Sequence, residues 1–229
     1  MPAVKEPVLR QPLQEKVYNC IKEAIVNCEM LPGVVISEDA LIKKFGTSRT
    51  PIREALLRLQ RERLVVIFPR QGTFVSEISS RDISEIYELR LIIEPQIAGI
   101  SCSKLNSEVL KEFHDLFVRL DGNEDFSYLD WFRHDRDFHN YIVDSSGNDY
   151  LQQIYATIMN QDLRMRIIAG KMPLRIGETN REHIMLLDAL LEKDAAKAER
   201  LMRAHIIASR DTALRAVNFR ESEAVFNVL

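Results

Sequence analysis

The stretch Gly46-Thr47-Ser48-Arg49-Thr50-Pro51-Ile52-Arg53-Glu54-Ala55-Leu56 decides the first part of the fold. Gly46-Thr47-Ser48 reads as a short turn between two helical patterns, and Thr50 fits an N-cap with Pro51 at the first helical position. Ile52, Ala55, Leu56 and Leu59 then make the buried stripe of a helix, with Arg49 and Arg53 at its start. Upstream, Ser37 can cap a short helix whose first turn holds Glu38 and Asp39 and which runs to Lys44 or Phe45. Further back, Leu13, Val17, Cys20, Ile21, Ala24, Ile25 and Cys28 recur at helical spacing over residues 12–28, until Leu31-Pro32-Gly33 breaks the pattern. Downstream, Leu64-Val65-Val66-Ile67-Phe68 and Thr73-Phe74-Val75-Ser76 are rich in β formers, and Pro69-Arg70-Gln71-Gly72 joins them into a hairpin. Three helices and a hairpin make a winged helix-turn-helix.

From about residue 80 the chain is patterned for helices and little else. Ser80-Arg81-Asp82 opens one helix that continues toward Ser101, and further patterns cover residues 107–120, 126–145, 148–169, 176–192 and 195–218. Asp121-Gly122-Asn123, Ser146-Gly147-Asn148 and Met172-Pro173 mark breaks, and the last nine or so residues are expected to fray. The fold class is therefore mostly α. A winged helix-turn-helix over residues 1–78 precedes an all-α antiparallel bundle of six or seven helices over residues 79–229.

Composition narrows the task. The 229 residues are 46% hydrophobic and 28% charged, which suits a folded domain pair and excludes a disordered chain. No apolar run approaches the ~20 residues that a membrane span needs, and the N-terminus has no secretory pattern. Cys20, Cys28 and Cys102 lack metal or redox spacing and read as reduced thiols in the cytoplasm. Net charge is −3, but it is unevenly placed. Residues 1–80 carry 12 Lys and Arg against 9 Asp and Glu, whereas residues 81–229 carry 19 against 25. Residues 43–70 alone hold eight basic side chains against Glu54 and Glu62. That density is a footprint for a polyanion. Arg49 and Arg53 stand where a recognition helix enters the major groove, able to pair with guanine or clamp phosphate, and Arg70, Gln71 and Gly72 stand at the wing tip. Double-stranded DNA is the expected partner.

The second part holds a different constellation. Tyr128, Trp131, Phe132, Asp135, Phe138, His139 and Ile142 share one helix face, so Asp135 and His139 are inward neighbours one turn apart. His183 shares a face with Leu186, Leu187 and Leu190, and His205 with Ala198, Leu201, Met202 and Ala208. A single inward His usually just hydrogen-bonds within a core. Three of five histidines on core stripes, one beside an inward carboxylate, instead suit zinc, nickel or another borderline divalent transition metal. His114 and His134 lack such company, and His134 is expected to be exposed.

Leu31-Pro32-Gly33, Ile36-Ser37-Glu38, Ser48 through Leu56 and Pro69 through Val75 resemble the GntR superfamily of bacterial transcription regulators. Asp39 departs from that pattern, standing where many relatives carry a basic residue, and Arg63 replaces the usual glycine after the third helix. Asp135-Arg136-Asp137-Phe138-His139 with Gly147-Asn148, His183 with Asp188-Ala189-Leu190, and Ala198 through His205 resemble the FCD ligand-sensing domain of the FadR-type branch. The resemblance implies DNA contacts from Ser48, Arg49, Thr50, Arg53, Arg70, Gln71 and Gly72, and a metal held by Asp135, His139, His183 and His205. It also implies that Arg90, within Glu88-Leu89-Arg90 and four residues before Glu94, anchors the carboxylate of a small organic-acid effector. The expected protein is a cytoplasmic, nucleoid-associated homodimer on a pseudo-palindromic operator, a ligand-switched repressor or activator rather than an enzyme. A regulator with a purely structural metal and a metal-dependent hydrolase are the alternatives.

Overall fold

The computed structural model describes residues 13–121, 127–169 and 175–226, which fall into two compact units dividing between Glu77 and Ile78. The first unit contains α1 (Leu13–Val26), β1 (Val35–Ile36), α2 (Glu38–Phe45), α3 (Arg49–Arg61), β2 (Val65–Phe68) and β3 (Gly72–Val75). Val17, Ile21 and Ile25 of α1 meet Ile52, Leu56 and Leu59 of α3 in a buried core, the expected stripes. Ser37 caps α2 by accepting from Ala40 N at 3.2 Å. Gly46 closes α2 in the left-handed conformation at φ +60°, which glycine adopts without a Cβ clash.

Three details differ from the expectation. Helix α3 begins at Arg49 with Ser48 as N-cap, so Pro51 is its third residue. Nothing is lost by this, because the first four N–H groups of a helix have no intrahelical acceptor. A third strand, β1, joins the hairpin, giving the antiparallel order β1-β3-β2 with Val35 opposite Phe74 and Val66 on its other side. Two residues are too few to show a period, and β1 exists only through partners forty residues away: Val75 N donates to Val34 O and Gly33 N to Val75 O, both at 2.9 Å. Arg63 adopts φ +57°, a left-handed position that glycine takes without strain.

The second unit holds α4 (Ser80–Ser101), α5 (Ser107–Leu120), α6 (Tyr128–Asp144), α7 (Asp149–Ala169), α8 (Ile176–Leu191) and α9 (Ala195–Phe226), six helices among the described residues. A capping box between Ser79 and Asp82 starts α4. Helix α4 packs along α9, α5 and α9 flank α8, and α6 lies against α7. Their shared core includes Ile83, Phe117, Phe138, Ile142, Leu186, Leu190, Met202 and Ile206. Helix α9 outruns its expected end at residue 218, because Arg220-Glu221-Ser222-Glu223-Ala224 contains no helix breaker even though it has lost the apolar stripe. Tyr128, placed on the inward stripe, is 57% exposed at the first turn of α6, and His134 is half-buried rather than exposed. The breaks expected at Gly122-Asn123 and Met172-Pro173 lie outside the described residues.

Candidate functional site

Three helices aim four polar side chains at one point in the second unit. Asp135 and His139 come from α6, His183 from α8 and His205 from α9, all essentially fully buried. One ligand atom from each lies within 4.8 Å of all the others. His205 Nε2 is 3.2 Å from His139 Nε2, and Asp135 Oδ1 lies 3.5 Å from His183 Nε2 and 4.0 Å from His139 Nε2. Phe117 and Phe138 pack their rings on His183, forming a dry wall.

The far sides of two imidazoles explain their orientation. His139 Nδ1 is 2.6 Å from Glu94 Oε2, and His205 Nδ1 is 2.8 Å from Glu182 Oε2. A carboxylate at Nδ1 calls for the N–H there, so both Nε2 lone pairs face each other across 3.2 Å. Two lone pairs share such a space comfortably only around a cation. Burial pushes the His205 imidazole below its ordinary pKa against the opposing hydrogen bond to Glu182, so a proton serves that role poorly. Burial, then the neighbouring His205 and His139, push His183 further down in the same direction. Neither ring nitrogen of His183, nor Asp135 Oδ1, makes a hydrogen bond. Three imidazoles and one carboxylate, two of the rings backed by carboxylates, fit a divalent transition metal.

Around these four lies a buried ionic lattice. Arg90, with no exposed surface, donates from Nε to Glu94 Oε1 at 2.6 Å, and its Nη1 sits 3.2 Å from Asp162 Oδ1. Arg166 donates to Asp162 Oδ2 at 2.8 Å and reaches Asp135 Oδ2 at 3.4 Å. Burial alone would raise the Glu94 carboxyl, but Arg90 and His139 outweigh it and hold the group well below the carboxylate range. Asp162 is likewise held down by Arg166 and Arg90 against its burial. Tyr87 and Tyr155, buried beside these charges, are pushed up and stay protonated.

A small cavity of about 50 Å³ opens beside this lattice, lined by apolar Tyr87, Trp131 and Phe132 and by the cations Arg166 and Arg175. Trp131 donates from its indole to Asn180 Oδ1 at 2.8 Å, fixing that wall. Arg175 also donates to Glu182, the carboxylate that backs His205. Arg90 does not line the cavity. It is fully buried, its Nη1 faces Asp162, and its Nη2 makes no hydrogen bond among the described residues. Sequence reasoning brought out the four clustered side chains and noted Glu94, but missed Glu182, Asp162, Arg166 and Arg175. The i, i+4 pair Asp162/Arg166 was visible as a spacing; Glu182, one residue from His183, points another way around α8 and carried no periodic signal.

In the first unit, Ser48, Arg49, Thr50 and Arg53 are exposed at the start of α3, and Arg70, Gln71 and Gly72 are exposed at the hairpin turn. Arg70 takes φ +66° and Gly72 φ +127°, which folds the tip tightly. Arg49 Nη2 donates to Asp39 Oδ1 at 2.7 Å and Arg53 Nε to Glu38 Oε2 at 3.1 Å.

A winged helix-turn-helix with arginines at the head of its third helix, joined in one chain to a helical bundle with a buried Asp/His cluster, defines a DNA-binding transcription regulator. Residues 13–75 match the family described as bacterial regulatory proteins, gntR family, and residues 85–208 match the FCD domain. The chain belongs to the GntR family of transcription regulators, in the branch that carries an FCD domain. It is 29% identical over 195 residues to a helix-turn-helix transcriptional regulator from an unstable DNA locus of Streptomyces ambofaciens, covering 85% of this chain and 82% of that protein. Among solved structures, a GntR regulator from Rhodococcus sp. RHA1 superposes with TM-score 0.76 at 21% identity, over 89% of this chain and 98% of that one. The Zn2+-bound FCD domain of TM0439 superposes with TM-score 0.51 at 18% identity, over 61% of this chain and 96% of that one. Relatives and families alike are regulators, not enzymes.

Proposed function

We propose that this regulator senses a small organic acid through a divalent metal held by Asp135, His139, His183 and His205. The observation that carries the reading is the pair of Nε2 atoms 3.2 Å apart, each on a ring whose other nitrogen faces a carboxylate. The metal, zinc or nickel by donor type, supplies a Lewis-acid point that an acid's carboxylate can join. Arg166 and Arg175 offer charge along the cavity, while Arg90 is held between Glu94 and Asp162 outside its lining. The TM0439 domain, named as Zn2+-bound, supports the metal half of this reading by its shared fold.

On the DNA side, Arg49 and Arg53 enter the major groove with Ser48 and Thr50 at the helix head, while Arg70, Gln71 and Gly72 follow the adjoining backbone. Two chains form a homodimer on a pseudo-palindromic operator in the cytoplasm, at the nucleoid. Helix α4 begins five residues after β3 ends, so an acid that repositions α4 changes how the heads are presented. The effector acts through a difference in affinity between DNA-competent and DNA-incompetent states.

The test is metal analysis of protein purified without a chelator or affinity tag, beside His183→Ala. About one transition metal per chain, lost in the variant, supports the centre, and small mono- and dicarboxylates are then titrated into an operator-binding assay. No metal in either protein removes the reading. Metal that raises thermal stability while no acid alters DNA binding favours a structural ion, for which the complete burial of the four ligands speaks.

A further inference from the structure

The acidic residues that open α2 stand against the arginines expected to read DNA. Asp39 takes Arg49 Nη2 at 2.7 Å, Glu38 Oε2 lies 3.7 Å from Arg49 Nε, and Glu38 also accepts from Arg53 Nε at 3.1 Å. Asp39 is 80% exposed and Arg49 54% exposed. An ion pair so open to water adds little to stability. In a basic module facing a polyanion, a carboxylate also lowers the affinity for phosphate wherever it stands. The first turn of α2 favours an acidic residue at position 39, but neither that preference nor general DNA affinity accounts for its pairing with Arg49.

Geometry accounts for it. Arg49 is the first residue of α3, at the positive end of a helix with no acidic residue in its first turn, and a long side chain there would otherwise sweep through many rotamers. The two carboxylates face its Nε and Nη2, and Nη1 makes no hydrogen bond or ion pair with the described residues. The free end of the guanidinium is the edge that spans guanine O6 and N7. We infer that Asp39 is a specificity-determining residue of the DNA interface: it presents Arg49 for bidentate reading of guanine, while its charge opposes binding to duplexes that offer phosphates alone. Glu38 positions the pair by bridging Arg49 to Arg53.

The inference rests on reading the head of α3 as the DNA-facing edge, and the experiment separates the two. Full-length protein is used to select bound duplexes from a randomised library. Affinities for the selected duplex and for a scrambled one of equal length are then measured against salt for the wild type, Asp39→Ala, Asp39→Asn and Arg49→Ala. Removing Asp39 is expected to tighten binding to the scrambled duplex and to steepen its salt slope by about one. The ratio of selected to scrambled affinity should fall by about tenfold or more, the discrimination carried by one bidentate contact. Asp39→Asn, which keeps the shape but not the charge, should do the same to the scrambled duplex. An unchanged ratio in both Asp39 variants, with Arg49→Ala losing the selected duplex, overturns the role of Asp39 and leaves the interface reading intact. An Arg49→Ala protein that binds both duplexes like the wild type overturns both. Equal weakening on both duplexes in the Asp39 variants makes Asp39 a structural residue only. Melting curves confirm that each variant is folded.

Discussion

Arginine does opposite work in the two units. At the head of α3, Arg49 and Arg53 are 54% and 61% exposed, paired with carboxylates that water and salt can replace. In the bundle, Arg90 has no exposed surface and lies between Glu94 and Asp162, with Arg166 linking Asp162 to Asp135 of the histidine cluster. The exposed pairs are weak because the dielectric is high, which leaves their arginines available to a competing polyanion. The buried pairs cannot be traded. Their desolvation has already been met by geometry, and removing one partner strands a charge. A surface arginine is thus a contact in waiting, and a buried one is a fixture that shapes its neighbours.

The hardest break of that contrast is Arg90→Met. It strips Glu94 of its arginine partner and leaves Asp162 with Arg166 alone in the core, and a loss of about 3–5 kcal/mol is expected. Urea unfolding of the metal-free chain measures it. A loss below about 1 kcal/mol would mean that water enters the lattice and that the two units do not differ as described.

The next break is by pH. Burial holds His183 below its ordinary pKa, helped by the nearby His205 and His139, and burial lowers His205 against the pull of Glu182. The folded, metal-free protein therefore binds fewer protons than the unfolded chain once pH falls below about 6.5. Stability is present above that pH and is lost below it, at up to ~1.4 kcal/mol per pH unit for each histidine until its folded pKa is passed. Unfolding free energies at three pH values down to 5.5 test the slope, and a flat profile would show that the imidazoles are not held neutral.

A subtler break targets orientation alone. Glu182→Gln keeps the shape beside His205 but removes the charge that draws the proton to Nδ1. Metal affinity is expected to fall by about 10–100-fold in a chelator competition, with little change in melting temperature of the metal-free protein. An unchanged affinity would mean that Glu182 serves Arg175 and the cavity wall, not the ligand.

How much of this was legible in the sequence follows the same division. The turn at Gly46, the arginines around Pro51 and the stripes of α3 depend on neighbours a few residues away, and they read correctly apart from the two-residue start of α3. The histidines on α6, α8 and α9 were found because their stripes were apolar and the polar residue stood out. Their convergence on one point is a property of helix packing. So are the pairings of Asp162 with Arg166 on α7 and of Glu182 on α8 with Arg175 just before it, and of Asp162 and Glu182 with Arg90 and His205 across helices. Strand β1 was missed for a related reason, since its pairing with β3 spans some forty residues. Local chemistry was readable, whereas mutual compensation over long range was not.

The smallest expected effect bears on both sides of the comparison at once. Arg63 holds φ +57° at the end of the α3 segment, where a Cβ is strained and glycine is not. Arg63→Gly relieves that strain but gives the unfolded chain more freedom, so the net gain should be only ~0.5–1 kcal/mol, a few degrees in melting temperature. The same change removes one exposed cation from the basic stretch, and the salt slope for scrambled DNA should drop by less than about one. Stability and electrostatic reach would then move in opposite directions from a single substitution. If the melting temperature falls instead, the guanidinium contributes more through its contacts than its backbone costs. Arg63 would then resemble the fixed arginines of the bundle more than the exchangeable ones at the head of α3.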